Sequence, residues 1–286
     1  MTLGQCLESL QAQKTDSSFE ILVIDSSDDL TGDRIKERFP HVRLFHFDER
    51  MYCGEARNYG ITKARGDIIA FIDADCIASK SWIDAISRSH QGNYDAIGGT
   101  IANQQPSTSQ GWASYFCEFS QWMPGRRKQT MSDIAAANIS YKKSCLQTIG
   151  PYITDTYCSD THFHWRMHDY GLKLLFDPAI RIEHRSLQDL NTLLRHEFSH
   201  GRNFGRVRLS KQDFTGFRRL LLIVFWFLIA LKKILQIRLA IYRFPLYKKY
   251  FYRSLPFIIL ACLGWAFGEC VGYCHQRKKL PKQWKC

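Results

Sequence analysis

The sequence predicts an α/β protein with a mostly parallel sheet flanked by helices, followed by a helical, membrane-associating tail. Three observations lead there. Short apolar runs alternate with stretches of helical periodicity from residue 2 to about 184, as βαβ units require. The 286 residues, 45% of them hydrophobic and 23% charged, suffice for one large α/β domain and a smaller appendage. Beyond residue 187 the pattern turns basic and then strongly apolar. The chain is therefore divided into 1–185, 186–219 and 220–286.

Each element has its own signal. Leu3, Leu7 and Leu10 recur at helical spacing, so 3–13 reads as an amphipathic helix. Residues 20–25 read as a buried strand ending in Asp25, 32–39 as a helix, and 42–47 as a more exposed strand. A helix over 55–64 leads into the apolar run 68–72, which stops at Asp73-Ala74-Asp75. Bounded by Gly66-Asp67 and a polar turn, that run suits a strand buried on both faces of a parallel sheet. Residues 79–90 read as a further helix.

The last third is basic and apolar by turns. Residues 187–219 carry Arg195, Arg202, Arg206, Arg208, Lys211, Arg218 and Arg219 and read as helical. The unbroken apolar run 220–231 is too short to span a bilayer comfortably, whereas 255–274, with Glu269 as its single acid, could span. Lys232, Lys233, Arg238, Arg243, Lys248, Lys249 and Arg253 lie between the two runs, and Gln276-Arg277-Lys278-Lys279 follows the second. A two-span hairpin would export the most basic loop of the chain, against the preference of Lys and Arg for the cytoplasmic side. In-plane attachment of 215–253 is expected, with the second run as a re-entrant or single-span anchor. A buried helical hairpin in a soluble domain is the alternative.

A formal charge of +12 and a pI near 9.3 call for an anionic partner. Because the cations cluster beside apolar runs, an anionic membrane surface at the cytoplasmic face is expected rather than nucleic acid. The ten cysteines form no CxxC pair, which favours a reducing compartment. Residues 1–5 lack the basic and apolar regions of a secretory leader.

Ligands of open α/β sheets bind beyond the carboxyl ends of strands, where Asp73 and Asp75 lie. Two carboxylates two residues apart point to one side of an extended backbone and can hold a hard divalent cation that bridges to phosphate. The same pair also suits an Asp-rich turn closing a strand. The lead-in decides between them. Gly54, Ala56-Arg57-Asn58, Gly60, Ala64, Gly66-Asp67, Ile69 and Phe71 precede Asp73 and Asp75. Asn138 in AAANISYKKS, Asp160 in SDTHFHWRMHDYG and His184 in IRIEH follow in order. Together with Asp25, this series resembles family 2 glycosyltransferases of GT-A fold.

The resemblance implies roles. Asp25 would contact the nucleotide base, Asp73 the ribose region, and Asp75 would ligate Mg²⁺ or Mn²⁺ on the donor diphosphate. Asp160 would be the catalytic base of an inverting transfer. Gly54 would admit close backbone approach at the donor. Arg57 is either a donor-binding cation or a salt-bridged scaffold residue. Asp160 with Ser159 could equally cap a helix. His184 is either near the metal or a core histidine, and Asn138 would shape the acceptor side. The partners would be a nucleotide-diphospho-sugar donor and a lipid-linked or glycan acceptor, whose identities depend on loops such as 100–132.

Two departures from the family pattern stand out. The family opens with a strand ahead of the first helix, and here the chain starts at that helix, so absence of the first strand is the expectation. An N-terminal truncation or a start site placed too late is expected, with impaired catalysis as the alternative for a full-length chain. No QxxRW follows the acidic motif, which favours a single-transfer, non-processive enzyme. In its place stands His196-Glu197-Phe198-Ser199-His200, the HExxH pattern of zinc peptidases, which supplies a rival function. His162, His164 and His168 are expected at the surface or on the acceptor side.

Overall fold

The computed structural model describes residues 2–104, 108–211 and 216–274. The basic stretch 276–279, Cys286 and, within the 100–132 segment, residues 105–107 lie outside these. The described elements begin with α1 (Thr2–Gln11), β1 (Leu22–Asp25), α2 (Thr31–Arg38), β2 (Arg43–His46), α3 (Cys53–Lys63) and β3 (Ile68–Ile72). Next come β4 (Cys76–Ala78), α4 (Trp82–Ser89), β5 (Ala96–Asn103), α5 (Ser109–Phe119), β6 (Gln129–Met131) and β7 (Asn138–Lys142). The chain continues through α6 (Lys143–Ile149), α7 (Ser159–Asp169), β8 (Leu174–His184) and α8 (Leu190–Lys211). It ends in α9 (Gly216–Val224), α10 (Trp226–Tyr242) and α11 (Pro245–Cys274). Two compact units result. One joins the chain up to Ala102 with Arg126–His184, the other joins Asn103–Gly125 with the chain from Arg185 onward.

The first unit is α/β, as expected. Its strands β1 and β2 pair in parallel from Leu22↔Arg43 to Asp25↔His46. Leu7, Ile35 and Phe39 form a small core against them, surrounded by Leu3, Ile21, Val23, Val42 and Leu44. This is the burial that the helical spacing of the first leucines calls for. The larger sheet has the order β3-β7-β5-β8-β4, with β6 on β8. Here the β3–β7, β5–β7, β4–β8 and β6–β8 pairs are antiparallel. The sheet is thus mixed rather than mostly parallel. Its four later strands, β5 to β8, lie in a region whose periodicity does not single them out, and they supply the antiparallel pairing.

Expectation also fails for β3, which is not buried on both faces. Among the described residues it ends the larger sheet, pairing with β7 alone, and Ile68 and Ala70 are exposed. An apolar run marks a strand; it does not report how many neighbours the strand has.

The second unit is helical. Helices α8 and α11 touch backbone to backbone: a Cβ on Gly201 would lie 1.9 Å from the Trp265 carbonyl, and one on Gly268 2.1 Å from that of Phe198. Gly205 and Gly272 sit one turn along on the same contact. This is the small-xxx-small packing of closely apposed helices. In the same unit Trp112 stacks on Tyr250 at 4.2 Å and on Phe116 at 5.3 Å. Helix α11 is long and apolar enough to cross a membrane, and α9 and α10 meet at a 71° bend. Phe217, Leu220, Leu221, Phe227, Leu231 and Leu239 are exposed along that bent pair. Lys233 is one of the cations that turn inward. It is mostly buried, 3.0 Å from Glu197 and 4.4 Å from the Trp265 ring centroid.

Substituting Gly201→Val should destabilise the protein by about 3 kcal/mol through overpacking of the helix contact. Thermal unfolding in detergent checks this, and an unchanged Tm would exclude the close approach.

Candidate active site

The site grows from the register of β4 and β8. Cys76 pairs with His184, so the end of β8 lies beside the turn that follows β3. His184 Nε2 is 3.3 Å from Asp75 Oδ2, and the Cys76 thiol donates to Asp75 Oδ1 at 3.8 Å. One ligand atom each from Asp75, Cys76 and His184 lies within 4.8 Å of the others. Burial works to raise the Asp75 pKa, but the hydrogen bond and charge of His184 outweigh it and hold the carboxyl below the ordinary range. Burial and the neighbouring Asp73 and Asp75 push the Cys76 thiol far up, so it stays protonated. Asp75 oxygen and His184 nitrogen are then the effective donors, a mixed set that can hold a divalent cation.

Arg57 projects from α3 toward the same carboxylates. Its guanidinium is 3.8 Å from Asp73 and lies over the rings of Phe71 and Tyr152, at 5.7 and 5.9 Å. Burial disfavours its charge, yet Asp73 and Asp160 more than compensate, so the cation is held protonated. At Asp73 the balance is reversed. Desolvation raises its pKa, Arg57 opposes this, and the negative Asp75 and Asp160 add to the rise. Asp160 stands in the first turn of α7, where a carboxylate complements free N–H groups.

Asn58, beside Arg57 in sequence, fastens the neighbouring loop. Its amide donates to the Tyr152 carbonyl at 2.9 Å and its oxygen accepts from the Tyr152 N–H at 2.8 Å. Tyr152 in turn stacks on Phe163 of α7 at 4.3 Å. Gly54 meets protein rather than open space: a Cβ there would come 2.2 Å from the Ile153 carbonyl and 3.1 Å from the Ser159 Cβ. Its part is to bring α3 against the start of α7. Arg57, Asp73, Asp75, Asp160 and His184 are brought together in this way.

Two of the sequence-derived residues stand apart. Asp25, 8% exposed, ends β1 and accepts from Ser27 N at 3.1 Å, Ser27 Oγ at 2.8 Å and His46 Nδ1 at 2.9 Å. Burial would raise its pKa, and these hydrogen bonds lower it overall. Asn138 is not on an acceptor surface. It is fully buried; its amide donates to the carbonyls of Thr100 and Ile180, each at 3.0 Å, and its oxygen accepts from Trp82 Nε1 at 2.8 Å. That side chain is spent on joining strands. His164 is likewise internal, bonded to Asp133 at 2.5 Å and to the Tyr141 hydroxyl at 2.6 Å.

The profile described as Glycosyl transferase family 2 matches residues 1–149, just over half of the chain. The chain belongs to glycosyl transferase family 2. It is therefore a glycosyltransferase, and curated relatives agree. It is 23% identical to Glycosyltransferase AglE of Haloferax volcanii over 235 residues, covering 80% of this chain and 76% of the relative. It is 26% identical over 167 residues to the glucosyl-dolichyl phosphate glucuronosyltransferase of the same organism, spanning 54% of this chain and about half, 52%, of that one. Among solved structures, a mannosyltransferase from Pyrobaculum calidifontis in complex with GDP-Man and Mn²⁺ superposes with a TM-score of 0.57 at 16% identity, covering 92% of this chain and 81% of that chain. At that identity the likeness shows the GT-A fold.

Family membership removes the peptidase reading, and the geometry gives the reason. Glu197 is fully buried and ion-paired with Lys233, so it is shut away from the water that a peptidase base must activate. Sequence reasoning passed over Cys76, Tyr152 and His46. A cysteine directly after the second aspartate was visible as a signal; Tyr152 reaches the site, and His46 reaches Asp25, only through tertiary contacts.

Asn138→Ala should cost about 2–4 kcal/mol by stranding two carbonyls and an indole N–H, measured by urea unfolding. Because the folded pKa of Asp25 is depressed, its contribution is full above the unfolded value of about 3.9 and is lost as pH falls through the lower folded value. Asp25→Asn should therefore lose less Tm than wild type between pH 5 and 2; parallel losses would exclude this linkage.

Proposed function

We propose that this glycosyltransferase is metal-dependent, inverting and non-processive, moving one sugar from a nucleotide-diphosphate donor to a lipid-linked or glycan acceptor. One observation carries the reading. Asp73 and Asp160 face a single guanidinium, Arg57, and Asp75 adjoins Asp73, so three carboxylates share one arginine and leave room for a dication. A divalent ion on Asp75 and His184 would complete it and, when bound, would stabilise the charge that develops on the leaving diphosphate. Mn²⁺ or Mg²⁺ is the ion proposed, and the mannosyltransferase from Pyrobaculum calidifontis, in complex with GDP-Man and Mn²⁺, is the precedent.

The residues of the chain do the rest. Arg57 offers fixed N–H donors to phosphate oxygens from a position locked by Phe71 and Tyr152. Asp25 has three of about four acceptor positions filled and leaves one for a base N–H. Asp160, in the first turn of α7, accepts the proton of the acceptor hydroxyl as that oxygen attacks the anomeric carbon from the face opposite the diphosphate. Single transfer follows from the lack of a QxxRW segment.

A membrane-bound acceptor fits the helical unit. The exposed apolar residues of α9 and α10 alternate with Arg218, Arg219, Lys232 and Arg238, the composition of an interfacial segment, and α11 can serve as anchor at the cytoplasmic face. The curated relative that acts on a dolichyl phosphate is a precedent for a lipid-linked acceptor.

A donor panel with Mn²⁺, followed by nucleoside diphosphate release, tests the mechanism. Asp75→Ala should lower turnover at least about a hundredfold, and Asp160→Asn about 10²–10⁴-fold. Equal turnover in wild type and both variants defeats the proposal. For the membrane, flotation with vesicles containing anionic lipid should capture the protein, more weakly at high salt; equal capture by oligonucleotides would overturn the lipid reading.

A further inference from the structure

The HEFSH segment of α8 is not among the residues assigned to sugar transfer, and its surroundings in the helical unit are chemically specific. Glu118, from the last turn of α5, meets His196 and Glu197, and one ligand atom from each lies within 4.8 Å of the others. His196 Nδ1 is 3.5 Å from Glu118 Oε1. Two donors on a tetrahedral ion with bonds of about 2.1 Å stand ~3.4 Å apart, so this pair is already spaced to share a cation. His200 follows one helical turn later, its ring centroid 5.9 Å from that of His196.

A second, independent observation points to a ligand. Glu197 is fully buried, and Lys233 Nζ donates to its Oε2 at 3.0 Å, while its Oε1 is buried without a hydrogen-bond partner. A buried carboxylate oxygen left in this state is costly, and a bound cation would satisfy it. Lys233 cancels one of the two carboxylate charges, so a dication still meets a net negative cluster. We propose that Glu118, His196 and Glu197 form a second metal site, specific for a transition-metal dication of the zinc class, that ties α5 to α8. An imidazole beside two carboxylates suits a transition-metal dication. The ion would fix α5 against α8 through its ligands.

The site lies apart from Asp75 and His184 in sequence and in unit, so the two can be separated experimentally. Full-length protein would be stripped with chelator and titrated with Zn²⁺ against a chromophoric competitor, then with Co²⁺ for its visible absorption. Wild type and Asp75→Ala should both take up about one equivalent at this site and gain Tm on binding. His196→Gln and Glu118→Gln should bind at least about tenfold more weakly and gain no Tm. Circular dichroism of the stripped variants establishes folding, and the Co²⁺ spectrum of wild type, showing nitrogen and oxygen ligation, needs no variant. Zinc binding that disappears in Asp75→Ala but survives in His196→Gln overturns the proposal, as does wild type that binds neither Zn²⁺ nor Co²⁺.

Discussion

The contact between Arg57 and Asp73 is the constraint around which the α/β unit is arranged. A buried guanidinium is tolerable only beside compensating charge, and carboxylates drawn together are tolerable only beside a cation. Each side therefore holds the other in place. Phe71 and Tyr152 press on the guanidinium from the strand and from the loop, and Asn58 fixes that loop by two hydrogen bonds to Tyr152. Gly54 then allows α3 to approach the start of α7, where Asp160 stands. The ARN portion of the motif is thus one mechanical device: its arginine enters the site and its asparagine positions the wall behind it.

The helical unit solves a different problem, that of keeping charge inside apolar surroundings. Lys233 does so with a carboxylate on one side and an indole ring on the other. Arg208 does so by donating to Glu269 at 3.1 Å and to the Tyr273 hydroxyl at 3.0 Å. Both cations are accommodated by pairing between helices distant in sequence.

Much of the α/β unit was legible because it rests on local signals. The apolar run 68–72 coincides with β3, and the helices and strands up to residue 90 fall within a few residues of their expected positions. What was illegible depends on partners. Direction of pairing, the one-sided position of β3 and the internal role of Asn138 are set by β5, β7 and β8, which arrive from far along the chain. The candidate site divides in the same way. Asp73, Asp75 and Arg57 belong to one continuous motif, and their convergence follows from a strand end and one helix. His184 and Asp160 join them through tertiary contacts that only their place in the family pattern anticipated. In the last third, the glycines at 201, 205, 264, 268 and 272 carried a four-residue spacing that marks close helix packing, a signal present in the sequence and passed over there.

That glycine contact has a bearing on where the protein can work. Most helix pairs in water are driven together by expulsion of solvent from apolar side chains, a force that vanishes when the surroundings are themselves hydrocarbon. Helices α8 and α11 instead meet through main-chain atoms, with dispersion and shape as the adhesive. Such a joint is indifferent to the medium. It can form within hydrocarbon or in water, so α8 and α11 can keep one geometry whichever surrounds them.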